Sequence, residues 1–334
     1  MSTFKATDLP ILLKQHVDYF DTTQNHLFGE GKFLNFSLRP ELLNSQIPIS
    51  AIYPAYDGEV NGLGGIGEPT IFLRVQGCHL RCYKSTMGVL CDTPEALGIP
   101  AKSETRYFRT VSDVAIELLK FTEEASINKI TWSGGDPLFM YKQYKDEFDM
   151  LFLIVAIARE QINSMPLRIT VETSGTVDQA VNFAFNGVDI KAKAGGYSTF
   201  VTLPVTYILD FKLPSAGVKA PFIVPRYYPE NVEYHRIQNH VVIKFVVVSE
   251  EEAALALKEA RRIRSTKKEL GIDGKLSMYV GVYWGKEYTT QELFNYMTAN
   301  GGWQTFNGIN AQVHKLCHFA EGKNKGYTDF PTEI

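Results

Sequence analysis

Strand-like and helix-like stretches alternate along most of this chain. The stretches "TIFLRV" (70–75), "KITWSGG" (129–135) and "LRITVET" (167–173) are short, apolar and typical of strands. The stretch at 112–125 has apolar residues at helical spacing, and Ser112 is placed to cap it. Because such alternation builds parallel sheets, it predicts an α/β fold, either a barrel or an open sheet.

The second half of the chain continues this pattern. Further strands are predicted over four segments: 206–213, 241–248, 276–284 and 309–319. Of these, "VVIKFVVV" (241–248) is apolar enough for a strand that is buried on both faces. A helix is predicted over 147–162. Capping boxes predict the start of two more helices: Ser249 with Glu252, and Thr289 with Glu292.

Polar or glycine-rich motifs follow the ends of these strands. A loop with Cys78, Cys82 and Cys91 follows the first strand, "SGGDP" follows the second, "ETSGT" follows the third, and "DFKLPSAG" ends a later one. In parallel α/β folds, ligands bind at the carboxyl ends of the strands. The sequence therefore predicts a functional site at that edge.

Composition narrows the class of protein. Hydrophobic residues make up 45% of the 334 residues and charged residues 21%, which predicts a globular core. The net charge of -3 indicates neither a nucleic-acid-binding surface nor a membrane-surface patch, and no apolar stretch approaches the ~20 residues of a membrane span. The amino terminus lacks the pattern of a signal peptide, so we expect a cytoplasmic protein with reduced cysteines.

Three interpretations of the cysteine loop compete. Ordinary buried cysteines fit poorly, because the loop also carries polar residues such as His79 and Arg81. A structural zinc site needs a fourth ligand, for which His79 and the distant Cys317 are the candidates. An iron–sulfur cluster held by three thiolates, with one iron left open, is the third interpretation.

Together the motifs resemble the radical S-adenosylmethionine (SAM) superfamily and, within it, the 7-carboxy-7-deazaguanine synthase family. The matching segments come in that family's order over roughly residues 52–318: "GEPTIFLRVQGCHLRC", "CDTPEA", "WSGGDP", "VETSGT", "DFKLPSAG" and "QVHK". The resemblance implies a modified partial (β/α) barrel of the radical-SAM type with parallel strands. That domain would cover residues 51–334 and follow an N-terminal extension at 1–50.

The chain departs from the family pattern in several places. Eight residues (83–90) separate the second and third cysteines where the superfamily usually has two. Leu90 stands where an aromatic residue is more common, and Asp136 replaces the usual glutamate. The first 50 residues and the stretch 214–240 have no counterpart that we can place.

The resemblance implies two cofactors at the predicted edge. Cys78, Cys82 and Cys91 would hold a 4Fe-4S cluster whose open iron binds SAM, and electron transfer into SAM would give a 5′-deoxyadenosyl radical. SAM would also contact residues after other strands: Ser133, Gly134, Gly135, Asp136, Thr173, Ser174, Lys191, Ala192, Lys193, Val282, Tyr283, Trp284 and Gly285. Taken alone, "SGGDP" is more typical of a plain strand-to-helix turn.

The implied substrate is 6-carboxy-5,6,7,8-tetrahydropterin. The residues that the resemblance assigns to it are Tyr56, Asp57, Gly58, Glu59, Arg74, Ser133, Gln312 and His314. Among them, the Arg74 guanidinium suits the substrate carboxylate, and the Glu59 carboxylate suits the N–H groups of the pterin. Cys317 is expected to be a free buried thiol.

Thr93 has two interpretations. The resemblance implies that its hydroxyl binds Mg²⁺ together with substrate oxygens, ligands that suit a hard ion. On its own, "DTPE" is typical of a cap and first-turn proline that open a helix.

The implied reaction converts the carboxytetrahydropterin to 7-carboxy-7-deazaguanine with loss of ammonia. The resemblance also implies a flavodoxin- or ferredoxin-type reductant and a homodimer, with no direct nucleic-acid or membrane partner.

Two alternatives stay open. One is another radical-SAM enzyme, such as a glycyl-radical activase, against which Arg74, Glu59 and Thr93 argue because they suit a small polar acid. The other is a non-enzymatic zinc-binding module.

Overall fold

A nine-stranded mixed sheet forms the centre of the computed structural model. The structure describes residues 40–58, 67–83, 86, 91, 93–98, 107–124, 126–162, 167–178, 184–185, 201–202, 205–224, 240–270, 272, 275–283 and 287–310. The strands are β1 (Gln46–Tyr56), β2 (Pro69–Val75), β3 (Phe108–Thr110), β4 (Lys129–Gly134), β5 (Arg168–Thr173), β6 (Ala184–Phe185), β7 (Val201–Thr202), β8 (Val205–Phe211), β9 (His240–Val247), β10 (Leu276–Val282) and β11 (Gly308–Ile309). Strands β6 and β7 form a separate antiparallel pair.

The order of strands in the large sheet is β11-β10-β9-β8-β5-β4-β2-β1-β3. From β2 to β11 every neighbouring pair is parallel, whereas β1 is antiparallel to both β2 and β3. Among the described residues the edge strands β3 and β11 do not pair, so the sheet is not closed. The predicted α/β class and parallel sheet are confirmed, and the open sheet is compatible with a partial barrel. The sheet already includes residues 46–50, which the sequence assigned to the extension.

Five α-helices belong to the described residues: α1 (Val111–Glu124), α2 (Pro137–Gln143), α3 (Lys145–Ile162), α4 (Glu250–Ser265) and α5 (Thr290–Ala299). The prediction that Ser112 caps the first helix is wrong, because Ser112 lies inside α1. Thr110 stands before the helix instead, and its Oγ1 accepts a hydrogen bond from the Asp113 backbone N–H at 3.0 Å.

The two predicted capping boxes have different outcomes. At α5, Thr289 and Glu292 form the complete reciprocal box, as predicted. At α4, the Ser249 hydroxyl accepts from the Glu252 N–H as predicted. The Glu252 carboxylate, however, accepts from the Val248 N–H and from Ser215.

The helices cover one face of the sheet and build the main core with it. Alternate strand residues such as Leu73, Trp132 and Phe245 are fully buried in the same cluster as residues of α1, α3, α4 and α5. Trp132 is central to this core, since its ring lies 4.7 Å from Phe148 and 5.0 Å from Phe152 between centroids. Burial of apolar area on this face is the main stabilising contribution to the fold.

The opposite face of the parallel strands carries mostly polar side chains. Because side chains alternate along a strand, the register aligns these buried residues on that face: Thr70, Arg74, Lys129, Thr131, Ser133, Thr170, Thr206, His240, Lys244 and Ser277. A small apolar strip on the same face contains Ile208, Val242 and Tyr279. The prediction that the strand at 241–248 is buried on both faces is confirmed, since nearly all of β9 is buried.

A buried ion network closes the amino-terminal edge of this face. The Lys129 ammonium lies 2.5 Å from Asp57 Oδ2 and 3.3 Å from Glu68 Oε2, and Arg168 also pairs with Glu68. Burial acts to raise the pKa of Glu68, but its hydrogen bond to Arg168 and the Lys129 charge outweigh that effect and lower the pKa. The network ties the end of β1 to the starts of β2, β4 and β5.

In the part of the chain that the structure describes, no helix combines the length and the apolar character needed to cross a bilayer.

Replacing Lys129 by Met is expected to lower the free energy of unfolding by about 3–5 kcal/mol, because the fully buried Asp57 carboxylate would lose its ion pair with the Lys129 ammonium. Urea unfolding followed by circular dichroism measures this. Arg262→Met is the control, since Arg262 pairs with Glu259 on the surface and should contribute less than about 1 kcal/mol. Similar losses in the two variants would contradict the assigned role of the network.

Candidate functional site

The cysteine loop leaves the carboxyl end of β2 and packs into a small cluster of its own. Cys78 and Cys82 are buried with Leu80 and Leu97, and the half-buried Cys91 packs against the same cluster. Val218 and Ala220, from the segment after β8, also contact it. The structure therefore places all three predicted cysteines in one environment, at the predicted edge of the sheet.

The chemistry of this donor set fits an iron–sulfur cluster, because three thiols at one location are the ligands that such clusters use. Burial raises the pKa of the Cys78 thiol to about 11, although the Leu80 N–H, 3.4 Å from its sulfur, acts in the opposite direction. Binding of iron would therefore release a proton from Cys78. Across the described segments, no three His, Cys, Asp or Glu side chains are arranged as a ready metal-binding group.

His79, the nearby candidate for a fourth zinc ligand, is engaged with other groups. Its Nε2 lies 3.0 Å from Thr176 Oγ1, its Nδ1 lies 4.0 Å from Asp136 Oδ2, and its ring stacks on Phe139. The other candidate, Cys317, lies outside the described residues. The contacts of His79 thus argue against its use as a fourth zinc ligand, and the choice between three thiolates and a zinc site completed by Cys317 stays a prediction.

The "SGG" glycines pack directly against the cysteine loop. A Cβ on Gly135 would lie 2.1 Å from the Gly77 carbonyl oxygen, and a Cβ on Gly134, at φ +106°, would lie 2.6 Å from the Val75 oxygen. Backbone hydrogen bonds join the same two turns, from Gly135 N to Val75 O and from Asp136 N to Gly77 O. The glycines therefore allow the close approach of two backbones that carries the cysteines.

Asp136 connects this turn to the next strand. Its carboxylate caps α2 by accepting from the Leu138 and Phe139 N–H groups, and it also accepts from the hydroxyls of Thr173, at 2.8 Å, and Ser174. Asp136 is only 1% exposed. The structure thus brings together Gly134, Gly135, Asp136, Thr173 and Ser174, all predicted to contact SAM, and gives Asp136 a capping role as well.

Thr93 lies beside the cysteines. Its Oγ1 donates to the Gly134 carbonyl at 3.4 Å and lies 3.5 Å from Cys91 Sγ. A short 3-10 helix, Pro94–Ala96, follows it, but the Thr93 side chain makes no capping hydrogen bond. The predicted first-turn proline is confirmed, since Pro94 opens this helix with Thr93 at the cap position, but capping by the Thr93 hydroxyl is not observed. Binding of Mg²⁺ at Thr93 stays a prediction.

The residues predicted to bind the substrate fall into two groups. Arg74 and Ser133 are register partners at the carboxyl ends of β2 and β4, and both are buried on the polar face. Tyr56 pairs instead with Pro69, at the other end of β2, and Asp57 and Gly58 follow it there. Pro69, the partner of Tyr56, and Arg74 are five positions apart along β2, which corresponds to about 17 Å. Asp57 is also occupied by Lys129.

A charged triad that the sequence analysis missed lies beyond Arg74 on the same face. Asp210 is the second-last residue of β8, and its carboxylate lies 2.7 Å from Lys212 Nζ and 3.7 Å from Lys244 Nζ. Burial acts to lower the pKa of Lys212, but the Asp210 carboxylate outweighs it and raises the pKa well above its usual value. Lys212 thus keeps its positive charge, and that charge acts on the Cys78 thiol of the predicted site. The "DFK" triplet at a strand end was the available signal, because charged residues rarely interrupt a buried strand without a partner.

The end of β10 reaches the cysteine loop through aromatic residues. The rings of Tyr283 and Tyr83 lie 4.8 Å apart between centroids, and Val282 is the last residue of β10. Two members of the predicted SAM-contacting set therefore lie beside the loop. Several other predicted residues lie outside the described residues: Glu59, Lys191, Ala192, Lys193, Trp284, Gly285, Gln312 and His314.

Comparison with known proteins gives one recurring result. No protein-family model matches this chain. A curated protein named 7-carboxy-7-deazaguanine synthase from Leptospira interrogans is 28% identical over 249 residues, which is 73% of this chain and 89% of that protein. The Aquifex aeolicus protein of the same name is 29% identical over 160 residues, 47% of this chain and 59% of that protein.

A third protein of that name, from Rhodopirellula baltica, is 30% identical over 112 residues. This chain thus covers less than two thirds of the length of two of these relatives, 59% of the Aquifex aeolicus protein and 34% of the Rhodopirellula baltica protein. The predicted resemblance to 7-carboxy-7-deazaguanine synthases is therefore confirmed.

Gly135→Ala is expected to destabilise the fold by about 3 kcal/mol or more, because the new Cβ would overlap the Gly77 carbonyl oxygen and neither backbone can move aside. Denaturant unfolding measures the loss. Gly98→Ala is the matched control on the same side of the loop, since its Cβ would meet the Gln76 Nε2 atom at an ordinary 3.6 Å. If Gly135→Ala is as stable as Gly98→Ala, the two turns do not pack as described.

Proposed function

We propose that this chain is a radical-SAM enzyme that converts 6-carboxy-5,6,7,8-tetrahydropterin to 7-carboxy-7-deazaguanine with loss of ammonia. One observation carries the proposal: the loop with three clustered thiols is hydrogen-bonded to the turn Gly134–Asp136 at the carboxyl edge of a parallel sheet. Similarity to proteins named 7-carboxy-7-deazaguanine synthase supports the choice of product.

In this proposal Cys78, Cys82 and Cys91 hold a 4Fe-4S cluster. A cluster bound there, with SAM, supplies the radical chemistry. The protein contributes shielding and placement: Cys78 and Cys82 are only 6% and 5% exposed, so these two thiols are largely removed from water. The Thr173 and Ser174 hydroxyls and the Asp136 carboxylate lie at the adjacent turn, where they can orient the polar part of SAM.

The polar face of the sheet supports a small polar acid as the substrate. Arg74 and Ser133 lie side by side near the cysteine loop, and a guanidinium binds a carboxylate through two parallel hydrogen bonds. Arg74 and Ser133 are 8% and 7% exposed, so an acid bound there would be largely removed from water. This argues against a glycyl-radical activase, whose substrate is a protein segment.

An external electron donor is needed, and we propose a flavodoxin- or ferredoxin-type protein. Exposed His79, Arg81 and Lys219 line an open cleft of about 560 Å³ over the cysteine loop, a surface suited to a negatively charged partner. Added salt should slow reduction by flavodoxin but not by uncharged photochemical reductants. Equal effects on both would exclude charge-guided docking here.

Turnover is the direct test. Anaerobic protein incubated with the carboxytetrahydropterin, SAM and dithionite should yield 7-carboxy-7-deazaguanine, detected by mass spectrometry. Cys78→Ala, Cys82→Ala and Cys91→Ala should each abolish the visible absorption of the cluster and the cleavage of SAM, because each removes one of three ligands. Cys317→Ala should retain both. A colourless wild-type protein that binds zinc would exclude the proposal.

Arg74→Ala is expected to weaken substrate binding by about 1.5–3 kcal/mol, because the substrate carboxylate loses a charge-assisted pair. The KM for the pterin should therefore rise while the affinity for SAM, measured by calorimetry, stays the same. Arg109→Ala is the control, since Arg109 of β3 forms an ion pair with Glu117 of α1, away from the cysteine loop. An unchanged KM in Arg74→Ala would refute the assigned role.

A further inference from the structure

Two described residues of the insertion between the second and third cysteines (83–90), Tyr83 and Thr86, are attached to a turn that follows β8. The backbone N–H of Tyr83, the residue after Cys82, donates to the Ala216 carbonyl at 2.8 Å. Three residues later, the Thr86 hydroxyl donates to the Ser215 carbonyl. Consecutive carbonyl groups of the 3-10 turn Pro214–Ala216 thus hold two points of the insertion.

The first of these attachment points has an unusual backbone conformation. Tyr83 has a φ of +63°, in the left-handed region that a bulky side chain rarely adopts. Such a conformation persists only where the surroundings enforce it. Here the bond to Ala216 holds the Tyr83 backbone, and the Tyr283 ring lies 4.8 Å from its ring. The chain direction after Cys82 therefore depends on where the turn lies.

Glu252 holds that turn in place. One carboxylate oxygen accepts from the Ser215 N–H at 2.6 Å, and the other accepts from the Ser215 hydroxyl at 2.9 Å and from the Val248 N–H at 3.2 Å. Glu252 is 8% exposed although it lies in the first turn of α4. A buried carboxylate with three donors is a strong, directional attachment.

We propose that the turn Pro214–Ala216 and Glu252 form a docking platform for the insertion, and that Glu252 is a positioning residue for Cys82. The contacts run in one series, from α4 through Glu252 and Ser215 to the insertion and then to Cys82. The other two cysteines have separate supports. Cys78 follows Gly77, which bonds to Ala96 and Asp136, and Cys91 lies near Thr93. The functional meaning of this placement rests on the proposed function, in which Cys82 is a cluster ligand.

The test compares two residues at the start of α4. Glu252→Gln keeps the shape of the side chain but turns an NH₂ group toward N–H and O–H donors, so at least one contact to Ser215 or Val248 is lost. Ser249→Ala removes the helix cap of α4 and no bond to the turn. Both variants should lower the melting temperature, but only Glu252→Gln should release the insertion. Ser215→Ala, which removes one of the three bonds, serves if Glu252→Gln does not fold.

The first measurement uses metal-free full-length protein. Maleimide labelling at one fixed pH, with each cysteine followed by peptide mass spectrometry, reports how often each buried thiol becomes accessible. Labelling of Cys82 should be about tenfold faster in Glu252→Gln than in wild type, as expected for loss of a hydrogen bond to a charged group. Labelling of Cys78 should not change, and Ser249→Ala should match wild type at Cys82. Equal acceleration at Cys78 and Cys82, or in both variants, would overturn the proposal.

The second measurement uses protein reconstituted with iron and sulfide. Glu252→Gln should retain less iron per chain and show an altered electron paramagnetic resonance signal of the reduced cluster, whereas Ser249→Ala should resemble wild type. Glu252→Asp, which keeps the charge, should recover part of the wild-type signal. An unchanged signal in Glu252→Gln would overturn the positioning role. Failure of wild type to bind iron would refute the proposed function, while the labelling result would still test the docking platform.

Discussion

The close contact between two turns, one after β2 and one after β4, is the constraint on which the rest of the site depends. Gly134 and Gly135 let the two backbones approach within hydrogen-bonding distance, and a single Cβ at Gly135 would fill the space between them. Gly77 leaves room for the Met140 side chain of α2. Asp136 extends the same contact to α2 and β5 through its four hydrogen bonds. Three adjacent strand ends are thereby held together, and the cysteine loop starts from this point.

The two faces of the sheet differ in the side chains that they bury. Apolar side chains on the helix-covered face supply the core, whereas the other face is polar and nevertheless buried. Buried charge is costly unless it is paired, and at the amino-terminal edge Lys129, Asp57, Glu68 and Arg168 satisfy one another. At the carboxyl edge the triad of Asp210 with two lysines brings an excess of positive charge to the region of the cysteines and Arg74. In the proposed function, this positive charge would stabilise the substrate carboxylate and an anionic cluster.

Two described residues of the insertion, Tyr83 and Thr86, show how a long gap between two of the predicted ligands can coexist with a defined position for Cys82. The structure attaches the insertion to neighbouring elements at its start, so its length does not by itself displace Cys82. The attachment uses hydrogen bonds to carbonyl groups, and these depend on the position of the turn rather than on its side chains. The position of that turn depends in turn on one buried carboxylate in α4.

The sequence by itself determined the order of elements and the location of the site. Apolar runs and helical periodicity predicted the strands and long helices, because local spacing governs which face can be buried. The clustering of cysteines, glycines and hydroxyl residues after strands predicted the carboxyl edge, and Cys78, Gly135 and Thr173 lie there. Only the tertiary structure decided which partners those residues have. The separation of Asp57 from Arg74 and the attachment of Glu252 to Ser215 follow from contacts between segments that are distant in the chain. The capping by Thr110 in place of Ser112 follows from competition between neighbouring hydroxyl oxygens as acceptors of a backbone N–H. Such contacts depend on strand register and on the packing of whole elements, which local residue patterns do not specify.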